Sequence, residues 1–247
     1  ALRLEADHGH VRILLAKQCI RLNRLEDAER LMQEETRRFG PSPETEYLRG
    51  LMAQHRGDPR EAALHLDRFR TRFPARSDAW QALVESFTAL EDREQLKRLY
   101  VEASHIRSLA DREWVQTRIA TALAGLDREE RPEHETLAHY WKRNPANSLL
   151  LYARASAFER AGEPDRAAEL FRQVTQATRS SDPVRGSAWF RLARQAAGAQ
   201  RIEYARNCLS LCPDHEGARN LLLQEVAEGT PDLSGIKKTG HPTEDPA

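Results

Sequence analysis

Residues 57–66 read GDPREAALHL, and residues 162–171 read GEPDRAAELF. A Gly, an acid, a Pro, two charged residues, Ala-Ala and a closing apolar residue recur in the same order, 105 residues apart. Each stretch reads as a tight turn between two helices. Gly57 ends the first helix by adopting positive φ. Asp58 caps the second, and Pro59 takes its first position, where no N–H is needed. Glu163 is the poorer cap of the two copies.

The Ala of this motif is periodic. Ala28 lies 34 residues before Ala62, and Leu96 lies 34 residues after it. From Leu96 to Ala167 the distance is 71 residues, two periods with a three-residue insertion. Ala205 takes the same site in a final copy if its second helix is one turn short. The stretch DAWQALVESFTALEDREQLKRLYVEAS (78–104) shows one whole unit. Trp80, Leu83, Val84 and Phe87 mark its first helix; Leu96, Tyr100 and Ala103 mark its second.

This pattern resembles the tetratricopeptide repeat, whose signature is W-x2-L-G-x2-Y, then A-x3-F, then P. The resemblance covers roughly residues 1–228. The chain departs from the signature at the Gly position, which is Gly50 once and otherwise Ala16, Val84, Ala155 and Ala193. The later Ala position holds Glu35 and Phe69 in the first two copies. The resemblance implies an all-α fold, a right-handed superhelical solenoid of antiparallel helix pairs with first helices lining the concave face. The physical reason for stacking is that two short antiparallel helices cannot cover their own apolar faces. Small residues such as Gly50 and Ala62 let paired backbones approach; Phe87, Tyr100, Phe158 and Phe171 fill the space between pairs; Pro74, Pro145 and Pro213 stop second helices.

The expected organisation is a stub of a truncated preceding repeat at residues 1–8, about six helix pairs over 9–217, a capping helix at 218–228 and a polar Gly/Pro-rich tail at 229–247. The fourth pair is the least regular. Trp114, Ile119 and Leu123 fit the pattern in poor register, and the insertion falls in DREERPEH (127–134).

Composition narrows the function. Lys plus Arg equals Asp plus Glu at 38 each, so no global field draws nucleic acid or an acidic membrane. Three cysteines make no disulfide framework; Cys208 and Cys212 read as small buried side chains on a helix. HETLAH (134–139) fails as a zinc motif, because histidines five apart diverge by about 140° around a helix. No phosphate loop, no nucleophile elbow and no catalytic constellation is read, and neither is a cofactor or metal site. The chain is therefore expected not to be an enzyme.

What remains is the groove. Carried over by repeat position, the resemblance implies partner contacts at Lys17, Arg21, Tyr47, Gln54, Gln81, Glu85, Tyr152, Ser156, Arg160, Phe190 and Arg194, with Ile13, Leu51, His55, Thr88 and Glu159 beside them. These mixed aromatic, amide and Arg groups suit a peptide or protein segment. Arrays that grip the C-terminal carboxylates of heat-shock chaperones use a Lys and Asn pair on the first helix; Ile13 and Lys17 stand there instead, and the third helix offers Gln81 and Glu85. The leading expectation is a non-enzymatic protein-interaction scaffold. A second is the substrate- or partner-docking region of a larger transferase or peptidase. A third, an RNA-reading helical repeat, is disfavoured by the neutral charge and the Ala and Pro markers. Self-association through an open N-terminal end, chiefly Ile13 and Leu14, is also expected. No compartment, cytoplasmic or periplasmic, is assigned.

Overall fold

A computed structural model of the chain describes residues 9–106, 111–127, 131–178 and 180–227, with only the backbone of Gly9, His10 and Val226. The expected stub at 1–8 and tail at 229–247 lie outside these residues, as do positions 128–130 of the expected insertion. Thirteen helices are described: α1 Gly9–Arg21, α2 Leu25–Phe39, α3 Pro43–Arg56, α4 Pro59–Arg72, α5 Ser77–Ala89, α6 Arg93–His105, α7 Arg112–Leu126, α8 Glu133–Arg143, α9 Ser148–Arg160, α10 Pro164–Gln176, α11 Asp182–Gln195, α12 Gly198–Leu211 and α13 Glu216–Ala227. None is long and apolar enough to cross a membrane. The chain divides into two compact units, Ala1–Ala157 and Phe158–Ala247.

In the first unit consecutive helices form hairpins: α1 packs on α2, α3 on α4, α5 on α6 and α7 on α8. Each second helix up to α6 also touches the next first helix, and α1, α3, α5 and α7 are neighbours in turn. This is tetratricopeptide-like pairing. The turns explain it. Gly57 stands at φ 77° and ends α3, and the Asp58 carboxylate accepts from the backbone N–H groups of Arg60 and Glu61 at 3.1 and 3.0 Å. Asn23 at φ 57°, Glu91 at φ 54° and Gly162 at φ 77° occupy the same place in other turns. The left-handed residue is thus part of the repeat, whatever side chain it carries. Glu163 makes no side-chain cap bond, in keeping with its poorer fit.

Ala28, Ala62, Leu96 and Ala167 are all fully buried, so the period tracks the contact between paired helices. Gly50 faces Leu66 so closely that a Cβ there would lie 2.5 Å from Leu66 Cγ. Trp80 is fully buried and its indole N–H donates to the Pro74 carbonyl at 2.9 Å, which fixes the turn before α5. In α7 the buried face runs through Val115, Ile119 and Leu123, while Trp114 is half-buried. Ile119 and Leu123 stand 36 residues after Leu83 and Phe87, so the buried face is carried past the place that a strict period of 34 gives Trp114, which accounts for the poor register.

In the second unit α10 packs on α11, α11 on α12, and α13 on both α11 and α12. Phe171, Val174, Ala188, Ala193 and Ala205 are buried there. One expectation is corrected: the last second helix, α12, is not a turn short. It begins at Gly198, whose φ of 56° turns the chain directly into the helix, and runs 14 residues.

Candidate functional site

The first helices of the first unit leave two open clefts between them. The first, about 300 Å³, opens between α1 and α3. Ile13 and Leu14 on α1, Tyr47 and Leu48 on α3, and Phe69 on α4 form its apolar walls, with Lys17 and Arg76 at the rim. Leu14 is 48% exposed, a large apolar side chain offered to solvent at the cleft edge. Tyr47 is buried rather than open as its repeat position suggested, but its ring still lines the cleft.

Charge at this cleft is organised by Asp78, at the start of α5. Arg76 grips it with a fork, Nε to Oδ1 at 3.0 Å and Nη2 to Oδ2 at 2.7 Å. Lys17 Nζ stands 3.8 Å from the same carboxylate, and the Tyr47 hydroxyl faces it closely enough that each shifts the other's titration. Burial pushes the Asp78 carboxyl up, but the Arg76 hydrogen bonds and charge, then Lys17 and Tyr47, hold it below its ordinary value. Burial raises the Tyr47 hydroxyl, and the Asp78 charge raises it further. Lys17 and Arg76 also lie over the Tyr47 ring, 5.4 and 5.8 Å from its centroid, and Arg76 lies 5.5 Å from that of Phe69. Cations over ring faces gain from the quadrupole, so the aromatic wall is held in place by its own rim.

The second cleft, about 550 Å³, opens between the C-terminal ends of α3 and α5 and the start of α4. Gln54, His55, Glu85 and Ser86 line it. The Gln54 amide donates to the Ala82 carbonyl at 2.7 Å and to Ser86 Oγ at 3.0 Å, tying α3 to α5. Glu85 accepts from the Gln81 amide at 3.0 Å and lies 3.8 Å from Arg118 of α7.

The position-based expectation thus meets the geometry unevenly. Lys17 and Tyr47 meet at the first cleft, Gln54 and Glu85 at the second, with Gln81 hydrogen-bonded to Glu85. Arg21 is exposed outside both linings. Tyr152 is half-buried, and Ser156 is only 8% exposed, with its hydroxyl buried. In the second unit Arg160 and Arg194 are both exposed, and the Phe190 ring packs on His215 with centroids 4.4 Å apart. Repeat positions did not point to Asp78, Arg76 or Arg118. The acid-aromatic stretch RSDAW (76–80) was the available signal, since Arg and Asp two apart at a helix start are placed to pair.

No family model and no curated protein matches this sequence. Among solved structures the chain is similar to PilF of Pseudomonas aeruginosa, at 12% identity over 87% of this chain and 97% of that one, with a TM-score of 0.48. It is also similar to PilW, a widely conserved type IV pilus biogenesis factor, at 10% identity over 88% and 100%, with a TM-score of 0.46. A third similar structure is a thermophilic TPR protein of Thermus thermophilus, at 16% identity over 89% and 97%, with a TM-score of 0.34.

Proposed function

We propose that this chain is a non-enzymatic scaffold that holds a segment of another protein along the first-helix face of its helix pairs. The observation that carries the reading is the pair of open clefts between successive first helices, α1 to α3 and α3 to α5, lined by Lys17, Tyr47, Gln54 and Glu85. A volume of about 300 Å³ suits one large apolar side chain with its neighbours. The walls are preformed: Tyr47 is clamped by Asp78 and two cations, and Gln54 is hydrogen-bonded across to α5. A partner segment then meets groups already ordered, which lowers the entropic cost of binding.

The test places a photo-crosslinking residue at Leu51 or His55 on α3, between the clefts, and at Leu64 on α4. The tagged chain is then exposed to a lysate of the source organism. The expected result is a crosslinked protein from the α3 positions that charge reversal at Lys17 and Glu85 suppresses. Crosslinks formed only from Leu64 would refute the assignment of this face.

A further inference from the structure

We infer that the cleft between α3 and α5 takes a basic side chain, Lys or Arg, of the bound segment; this rests on the scaffold reading above and adds the chemistry of what is bound. The two clefts differ in their electrostatics. At the first, Lys17 and Arg76 surround Asp78, and Glu35 is matched by Arg12 at 2.8 Å. At the second, the lining holds the Glu85 carboxylate and the His55 imidazole and, among the described residues, no Lys or Arg.

Four further features make the second cleft negative. The α3 and α5 helices both end there, so the negative ends of two helix dipoles converge on it. The last turn of α5 carries no basic residue to offset its dipole. The Arg56 guanidinium, in the last turn of α3, is engaged with Glu29 at 2.7 Å. At the cleft's α4 edge the chain runs through Gly57 and Pro59, and the residue between them, Asp58, adds a second carboxylate as helix cap.

A bound cation would therefore meet Glu85 and the carbonyl ends of two helices, while its aliphatic stem lay against Pro59 and Ala89. An acidic side chain would meet the Glu85 carboxylate and the carbonyl ends of α3 and α5, with the Asp58 carboxylate already occupying the N-terminus of α4. Arg118 competes for Glu85 from 3.8 Å, with both side chains about half exposed. At that distance and exposure the internal pair is weak, so an incoming guanidinium or ammonium can displace it.

The experiment uses phage-displayed random dodecapeptides selected on the intact chain, with recovered peptides resynthesised so that each basic residue is changed singly to Gln. The expected result is one Lys or Arg whose change weakens binding roughly 3–10-fold. Glu85→Gln should weaken the parent peptide by a similar factor and leave the Gln peptide unaffected, as a shared interaction requires. Arg118→Gln, which removes the competitor, should tighten the parent peptide about 2–4-fold. Glu85 and Arg118 are both about half exposed, so neither variant threatens folding. Peptides that crosslink from Leu51 or His55 but whose basic residues are dispensable, or that are acidic, would overturn this inference and leave the scaffold reading standing. Peptides that crosslink only from Leu64, or a selection that recovers none, would overturn both.

Discussion

Gly50→Ala should destabilise the protein although it removes a glycine from the middle of a helix. In an open helix that exchange stabilises by up to about 1 kcal/mol, because Gly has more backbone entropy to lose. At Gly50 the new methyl would lie 2.5 Å from Leu66 Cγ, 2.8 Å from Leu66 Cδ2 and 3.3 Å from the Ala62 carbonyl oxygen. Carbon atoms prefer about 3.5–4.0 Å. Leu66 is fully buried, and the atom struck is its branch point rather than a free tip, so it cannot yield without disturbing its neighbours. Overpacking of this kind costs about 1–3 kcal/mol, and after the helix gain about 1–2 kcal/mol of net loss remains at the centre of the range. Gly125→Ala is the control: Gly125 is exposed in α7, and a Cβ there meets nothing within 4 Å. Thermal unfolding followed by circular dichroism should show opposite signs, each kcal/mol moving the midpoint by about 2–4 °C in a chain of this size. Leu66→Ala should relieve the clash, so that the double variant is less damaged than the two single losses predict by about 1–3 kcal/mol. A midpoint for Gly50→Ala at or above the parent's, or strict additivity with Leu66→Ala, would refute the close approach of α3 and α4.

The remaining predictions concern the pair contacts, the turns, the carboxylates and the cysteines. Ala62→Leu and Ala167→Leu should each cost about 1–3 kcal/mol, and Ala63→Leu less, because Ala63 borders an open cleft whereas the other two are fully enclosed; equal melting shifts would show the register to be wrong. Glu91→Gly should stabilise by about 0.5–1 kcal/mol, since Glu91 is exposed and held at φ 54°, and a lower midpoint would argue against that backbone. Burial raises the Glu46 and Asp78 carboxyls, but His65 and Arg49 in one case, Arg76 and Lys17 in the other, bring both below their ordinary 4.5 and 3.8. Stability from such groups is complete above the unfolded value and is lost as pH falls through the folded one. The midpoint should therefore fall below about pH 4, and more gently in Asp78→Asn; an unchanged acid profile in that variant would refute the pairing. Burial pushes the Cys208 thiol up to about 11, whereas Cys19 and Cys212 are partly exposed. Mass spectrometry after iodoacetamide at about pH 8 should find Cys208 unmodified in the folded chain, and its labelling at the rate of Cys212 would contradict the core position.

The period of 34 was legible because it is a packing constraint. Where paired helices touch, only Ala or a well-fitted Leu serves, and that choice is written at Ala28, Ala62, Leu96 and Ala167. The turn was half legible. Gly57 and Gly162 announce a left-handed residue and Asn23 is suited to one, but Glu91 adopts the same φ with nothing in its side chain to declare it, because the helices on either side impose the conformation. The irregularity of α7 was legible in the poor register of Trp114, Ile119 and Leu123, but not which face would be buried, since Trp114 sits where a period of 34 from Trp80 puts it and only tertiary packing prefers Val115.

The site divides the same way. Repeat positions fix which way a first-helix residue points, so the resemblance placed Lys17, Tyr47, Gln54 and Glu85 on the face where the two clefts lie. They do not fix which groups from neighbouring helices arrive beside it. Asp78 organises the first cleft through contacts to α1, to α3 and to the turn before α5, and no single unit contains that set. As the second residue of its first helix it is matched by Glu44 in α3, Glu113 in α7 and Leu149 in α9. The same place thus carries an acid in three helices and an apolar residue in the next. A residue type free to vary in this way is not needed for stacking, and it is at such positions that one array can come to differ from another in what it binds. The clefts are a product of the repeat; their charges are a property of this chain, and substitution at Asp78 and Glu85 should alter partner preference while the helix pairs persist.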